Sequence, residues 1–155
     1  MIRLILRCFI SLHFRIGDYA KLQQYHCLLN IQYYIDSIKH IINKTNKDDW
    51  VILYCCEKND LKLIQQKIKG MKNHFPNIVF ERVSDNYQDW EQMLIMSLCR
   101  HNIIANSTFS WWSAYFNDNE DKIVCYPSAW FGPMFANKNT NDLFMEDWIK
   151  IICKQ

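Results

Sequence analysis

Short apolar runs alternate along this chain with stretches whose apolar residues recur every three to four positions, and that alternation constrains the fold more than any other feature. Phe9–Phe14 reads as a strand, and Ile31, Tyr34, Ile35, Ile38, Ile41 and Ile42 then fall on one face of a helix. Val51–Cys56 (VILYCC) is a continuous apolar run, as expected of a strand covered on both faces. Leu61, Ile64, Ile68 and Met71 make the next helical stripe, with Lys62, Gln65, Gln66, Lys67 and Lys69 outward and Asp60 placed as its N-cap. Asn77–Glu81 is a third strand, starting after Pro76, and Asp89–Arg100 is a helix with Met93, Leu94, Ile95, Met96 and Leu98. Ile103–Ala105 is a compact strand, a helix starts near Thr108 and runs through Trp111, Trp112 and Tyr115, and Lys122–Tyr126 is a fifth strand stopped by Pro127. Ser128–Asn141 reads as loop, and Trp148–Ile152 is a short apolar piece. Strand and helix alternating in this way predict one doubly wound α/β domain over residues 1–155, with a mostly parallel sheet.

Composition removes several classes of function. Lys and Arg total 18 against 16 Asp and Glu, a formal charge of +2 without a basic stripe, so no nucleic-acid partner is expected. The three glycines, Gly17, Gly70 and Gly132, are too far apart to form a glycine-rich phosphate loop. Seven cysteines occur without a CxxC pair or zinc-type spacing, which suits a reducing, cytoplasmic setting and predicts no metal site. Arg7 interrupts the apolar N-terminus, so MIRLILRCFISLHF reads as the approach to a buried strand, not as a signal peptide. No apolar run reaches the length of a spanning helix.

In doubly wound sheets ligands bind beyond the carboxyl ends of the strands, so the residues just after each apolar run matter most. Two clusters stand there. In His13-Phe-Arg-Ile-Gly-Asp-Tyr19, strand alternation puts His13 and Arg15 on the same side, and a guanidinium can grip a phosphate with two parallel hydrogen bonds. The plainer alternative is a salt bridge between Arg15 and Asp18. In Asn102-Ile-Ile-Ala-Asn-Ser-Thr-Phe-Ser-Trp-Trp112 a strand runs directly into a helix whose free N–H groups, with the Ser107 and Thr108 hydroxyls, form an anion site that needs no glycine. Here the alternative is an ordinary helix cap with Trp111 and Trp112 in the core. Taken together, a cation and a helix mouth at one sheet edge suit adjacent phosphates, such as those of a nucleotide diphosphate. Trp130, Phe131, Phe135 and Trp148 are candidates either to stack on sugar or to close a core.

These residues resemble a known family. HFRIGDY is similar to the HxRRGDY motif of glycosyltransferase family 11, the α-1,2-fucosyltransferases, and the stretch from Met96 to Trp112 resembles that family's second signature. Lys122–Phe131 and Glu146–Ile151 resemble its closing segments, in the same order. The resemblance implies a metal-independent, inverting transferase of two Rossmann-like domains (GT-B), of which this chain is the donor-binding half. It implies that Arg15 grips the β-phosphate of GDP-β-L-fucose, that Asn106, Ser107, Thr108, Phe109 and Ser110 hold the same diphosphate from the helix side, and that His13 lies near the nucleotide. Fucose then passes with inversion to the 2-hydroxyl of a galactoside glycan. No cofactor beyond the donor is implied.

The sequence departs from the family pattern at three places. Ile16 replaces the motif's second arginine, and Gln92 stands where the family has an aspartate suited to guanine, a task that Glu91 or Asp89 can take over. The family's GxxGNQ half is not present, so the acceptor side is expected from a second chain or a missing N-terminal domain. No residue is assigned as the general base: Asp18 is a catalytic candidate, and orienting Arg15 is its plainer role. A non-catalytic GDP-sugar-binding module or inactive fragment is the alternative reading.

Overall fold

The computed structural model describes residues 8–153; the reading of Met1–Arg7 falls outside them. Six strands form one sheet: β1 (Phe9–Phe14), β2 (Val51–Cys56), β3 (Val79–Arg82), β4 (His101–Ile103), β5 (Val124–Pro127) and β6 (Ile149–Ile151). Four α-helices connect them: α1 (Ile31–Thr45), α2 (Leu61–Lys72), α3 (Asp89–Ser97) and α4 (Thr108–Tyr115). The strand order is β3-β2-β1-β4-β5-β6 and all five pairings are parallel. This is the order of Rossmann folds, and it reverses between β1 and β4, where such sheets open a crevice at their carboxyl edge.

Two apolar layers follow from strand alternation. Ile10, Leu12 and Phe14 turn with Ile52, Tyr54 and Ile103 toward α1 and α2, where Ile38, Ile41, Ile64 and Met71 are completely buried. Leu53 and Cys55 turn the other way, against Met96 and Cys99. Further along that face, Ile104, Val124 and Tyr126 pack with Ala114, Trp130 and Trp148.

Between these layers runs a buried polar network. Asn102 in β4 donates through Nδ2 to Ser11 Oγ (2.7 Å) and to the Met96 carbonyl (3.0 Å). Its Oδ1 accepts from Asn117 Nδ2 (2.7 Å), which also donates to the Cys99 carbonyl (2.9 Å). One amide thus ties two central strands to the ends of α3 and α4.

Several elements differ from the sequence reading, each for a local reason. α3 stops at Ser97, because Leu98 N–H and Cys99 N–H bond to Ile95 and Met96 and close the last turn. Arg100 N–H then reaches Phe9, so β4 pairs from His101, two residues earlier than the apolar run suggests. β3 begins at Val79 because a turn, Ile78 N–H to the Phe75 carbonyl, consumes Asn77 and Ile78. β5 likewise runs from Val124 to Pro127, and the Trp148–Ile152 piece supplies β6, paired to it. Asp60 does not cap α2 with its side chain; its carboxylate instead accepts from Gly17 N–H at 2.7 Å. Tyr33, absent from the predicted stripe, is fully buried, and its hydroxyl contacts the carbonyls of Ile104 (2.5 Å) and Cys125 (3.1 Å).

Asn102→Ala leaves Ser11 and Asn117 buried without their shared partner. Urea unfolding is expected to show a loss of about 2–4 kcal/mol, since each unmatched buried group costs roughly 1–3 kcal/mol.

Candidate active site

β1 and β2 end side by side, Phe14 opposite Cys56. Beyond them opens a cleft of about 870 Å³ whose lining includes His13, Arg15, Glu57, Asp89, Gln92 and Phe109. His13 and Arg15 share this cleft because strand alternation sends Phe14 the opposite way, between Tyr34 and Tyr54. The His13 ring is buried against Phe109, centroids 5.1 Å apart. Burial, helped by the charge of Arg15, brings its pKa down to about 3, so the imidazole is neutral at physiological pH. Its Nδ1 is buried with no protein partner, a polar atom left on the cleft wall.

The Arg15 guanidinium is held by two carboxylates, donating through Nη1 to Glu57 and through Nη2 to Asp18 (2.5 Å). It also lies 4.9 Å from the centroid of the Tyr19 ring. Gly17 makes this grip possible. Its φ of +36° suits glycine, and a Cβ there would collide with the Glu57 carboxylate. The salt bridge read from sequence is therefore present, and Glu57, the residue after β2, joins it.

The second cluster divides. Asn106 is buried, and its amide donates to the carbonyls of Cys27 (3.0 Å) and Trp130 (3.1 Å). The Ser110 hydroxyl accepts from Ala105 N–H (3.1 Å) and lies 3.2 Å from the Ser107 carbonyl. Both side chains build the turn between β4 and α4. Ser107 and Thr108 open the helix, and no side-chain cap bond is made by Ser107. Phe109 alone of this cluster lines the cleft. What joins the two clusters is Tyr19, whose hydroxyl donates to the Asn106 carbonyl at 3.2 Å.

Gln92 lines the cleft, yet its amide is committed to the fold: Oε1 accepts from Cys55 Sγ (2.8 Å), and Nε2 donates to the Tyr87 carbonyl (3.0 Å). Glu91 caps its own helix by accepting from Gln88 N–H (2.7 Å), and Asp85 is paired with Arg82 through both oxygens (2.5 and 2.7 Å). Asp89 lines the cleft beside the exposed Trp90. Glu57, Lys58, Asn59, Tyr87 and Trp90 are lining residues that the sequence reading missed. They follow β2 and β3, so the strand-end rule applied to those strands, too, would have found them.

The sequence model of glycosyl transferase family 11 matches residues 5–152. The chain belongs to this family. It is 34% identical over 144 residues to the O-antigen biosynthesis glycosyltransferase WbnK of Escherichia coli, covering 91% of this chain and 44% of that protein. It is 29% identical over 158 residues to an alpha-1,2-colitosyltransferase of Escherichia coli, covering 95% of this chain and 49% of that protein. The chain thus spans about half the length of these relatives. No solved structure matches it. Among the described residues, no helix of this family member is long and apolar enough to cross a membrane.

The buried histidines set a pH dependence. His101, also desolvated and near Arg100, has its pKa lowered to about 4. In the unfolded chain both imidazoles take a proton near pH ~6.5, so between there and the folded values the unfolded state binds more protons. Stability is therefore expected to be complete above about pH 6.5 and to fall as the solution is acidified toward about pH 4. Urea midpoints across that range check this, and His13→Gln should make the decline shallower.

Proposed function

We propose that this chain is the donor-binding half of an inverting transferase that moves L-fucose from GDP-β-L-fucose to the 2-hydroxyl of a galactoside glycan. The observation that carries the reading is the placement of Arg15: a guanidinium at the carboxyl end of the central strand, at the switch point, joined through Tyr19 to the turn that opens α4. Family membership and the α-1,2 linkage named for one relative support the reaction type. That relative's sugar, colitose, differs from fucose by one hydroxyl, so a 6-deoxy donor is the common chemistry.

In the reaction, the galactose 2-hydroxyl gives its proton to a general base on the acceptor-side half, and its oxygen attacks the anomeric carbon from the face opposite the diphosphate. The bond from that carbon to the phosphate oxygen breaks, its electron pair stays on GDP, and the configuration inverts. Negative charge grows on the leaving diphosphate, where a preorganised guanidinium and the N–H groups at the mouth of α4 stabilise it. A diphosphate reaching Arg15 displaces Glu57 or Asp18, and Asp18 serves as a positioning residue for the guanidinium. The neutral His13 offers a hydrogen bond from the cleft wall without adding charge. Asp89, uncommitted where Gln92 and Glu91 are engaged, accepts from guanine N1–H and N2–H₂.

The test is calorimetric titration with GDP, GDP-fucose and ADP, followed by transfer to a methyl galactoside. The guanine nucleotides are expected to bind more tightly than ADP, and Arg15→Ala is expected to lower turnover roughly 10²–10³-fold, the usual effect of losing one oxyanion-stabilising group. Turnover of Arg15→Ala within a few-fold of wild type removes Arg15 from this role. No binding at millimolar nucleotide overturns the whole reading, and binding without transfer when the acceptor-side half is also present identifies a non-catalytic GDP-sugar module.

A further inference from the structure

Across the switch point from the cleft, beyond the ends of β5 and β6, lies a second hollow of about 240 Å³. Its walls include Phe131, Phe135 and Phe144, with Lys138, Thr140 and Lys150 among them. Of the four aromatic residues of this region that are candidates to stack on sugar or to close a core, Trp148 is buried in the core, Trp130 is buried yet reaches the wall of the hollow, and Phe131 and Phe135 are partly buried and line it.

The hollow is a built structure, although its walls come from a segment without periodicity. Gly132 N–H donates to the Tyr25 carbonyl (2.7 Å), and Met134 N–H to the Gln24 carbonyl (2.9 Å). A Cβ at Gly132 would stand 2.5 Å from the carbonyl oxygens of Gln23 and Gln24, so this close approach needs glycine. The Asn106 amide holds the Trp130 carbonyl, and Trp111 Nε1 donates to the Leu143 carbonyl (2.7 Å). The rings are set by their neighbours: Phe144 stacks on Tyr126 (centroids 3.7 Å apart), and Phe131 meets Phe135 edge-on at 6.0 Å. The Lys138 ammonium lies 5.8 Å from the Phe135 centroid.

Size and charge restrict the ligand. Nucleotide and drug-sized pockets run to ~300–1,000 Å³, so this hollow suits a smaller ligand such as a single pyranose ring. Aromatic faces cover the C–H side of such a ring, and ammonium and hydroxyl groups donate to its oxygens. Among the described residues, two lysines and no carboxylate line the hollow, in contrast to the main cleft with Glu57, Asp85 and Asp89.

We propose that this hollow is a second saccharide site that takes an acidic pyranose, a uronate-type residue carried by the glycan acceptor. The acceptor part of this inference rests on the transferase reading above; the saccharide site itself does not.

The test is an NMR titration of the full chain with methyl glucuronide, methyl galactoside and, separately, GDP. Glucuronide is expected to give saturable shifts confined to residues 128–150 and to bind about five-fold more tightly than galactoside, the size of an exposed charge pair. Lys138→Gln with Lys150→Gln should abolish that preference while leaving galactoside binding, and Phe135→Ala should weaken both sugars roughly ten-fold. Arg15→Ala should change neither. Absence of saturable shifts in 128–150 at tens of millimolar sugar, or shifts unaltered by these variants, overturns the site. Equal affinity for the two sugars overturns its acidic specificity. GDP shifts around the cleft without glucuronide binding sink this inference alone, whereas glucuronide binding without GDP binding sinks the transferase reading and leaves the saccharide site standing.

Discussion

β1 is hydrogen-bonded along both edges, to β2 over its whole length and to β4 over its middle, and the rest of the molecule depends on that double pairing. A strand flanked on both sides is buried on both faces, so its residues alternate between two cores, and only its carboxyl end is free to carry polar chemistry. The chain satisfies the buried middle with Ser11 bonded to Asn102, and it places His13 and Arg15 at the open end. Because strand order reverses beside β1, the loops after β1 and β4 lie near each other without pairing, and Tyr19 spans them through the Asn106 carbonyl.

The electrostatics of the cleft follow from what surrounds Arg15. Its guanidinium is shared between Glu57 and Asp18, while the His13 ring is held neutral by burial and by that same guanidinium. The grip is local, since Gly17 folds back so tightly that the Glu57 carboxylate occupies the space of its missing side chain. Partly exposed pairs of this kind are individually weak, which lets a multiply charged phosphate compete for the guanidinium. Cleft and hollow therefore differ in kind. One presents a cation among carboxylates at the switch point, and the other presents lysines and aromatic rings past the far strands.

Individual residues show how far the sequence was legible. The stripes through Ile38, Ile41, Ile64 and Met71 were visible because burial on one helix face repeats with the helical period. His13, Arg15, Gln92 and Phe109 are marked by motif and strand-end position, and their side chains line one cleft. Asn106 and Ser110 look identical in sequence to ligand-binding residues, but their hydrogen bonds go to Trp130, Cys27 and Ala105. Nothing in the local sequence distinguishes a polar side chain that binds a ligand from one that builds a turn. Asp60 illustrates the same ambiguity, a helix-cap residue by pattern whose carboxylate serves Gly17, distant in sequence.

By itself, then, the sequence determined the class of fold, the β1 and β2 strands, the buried helix faces, and the two motifs that mark family 11, because each is written in local periodicity or in contiguous residues. The tertiary structure alone decided the strand order, the partnership of Glu57 with Arg15, the commitment of Gln92 to Cys55, and the hollow pinned by Gly132. Each of those depends on residues far apart in the chain meeting through the packing of the sheet, and no short-range pattern encodes which distant carbonyl or carboxylate will be within hydrogen-bonding reach.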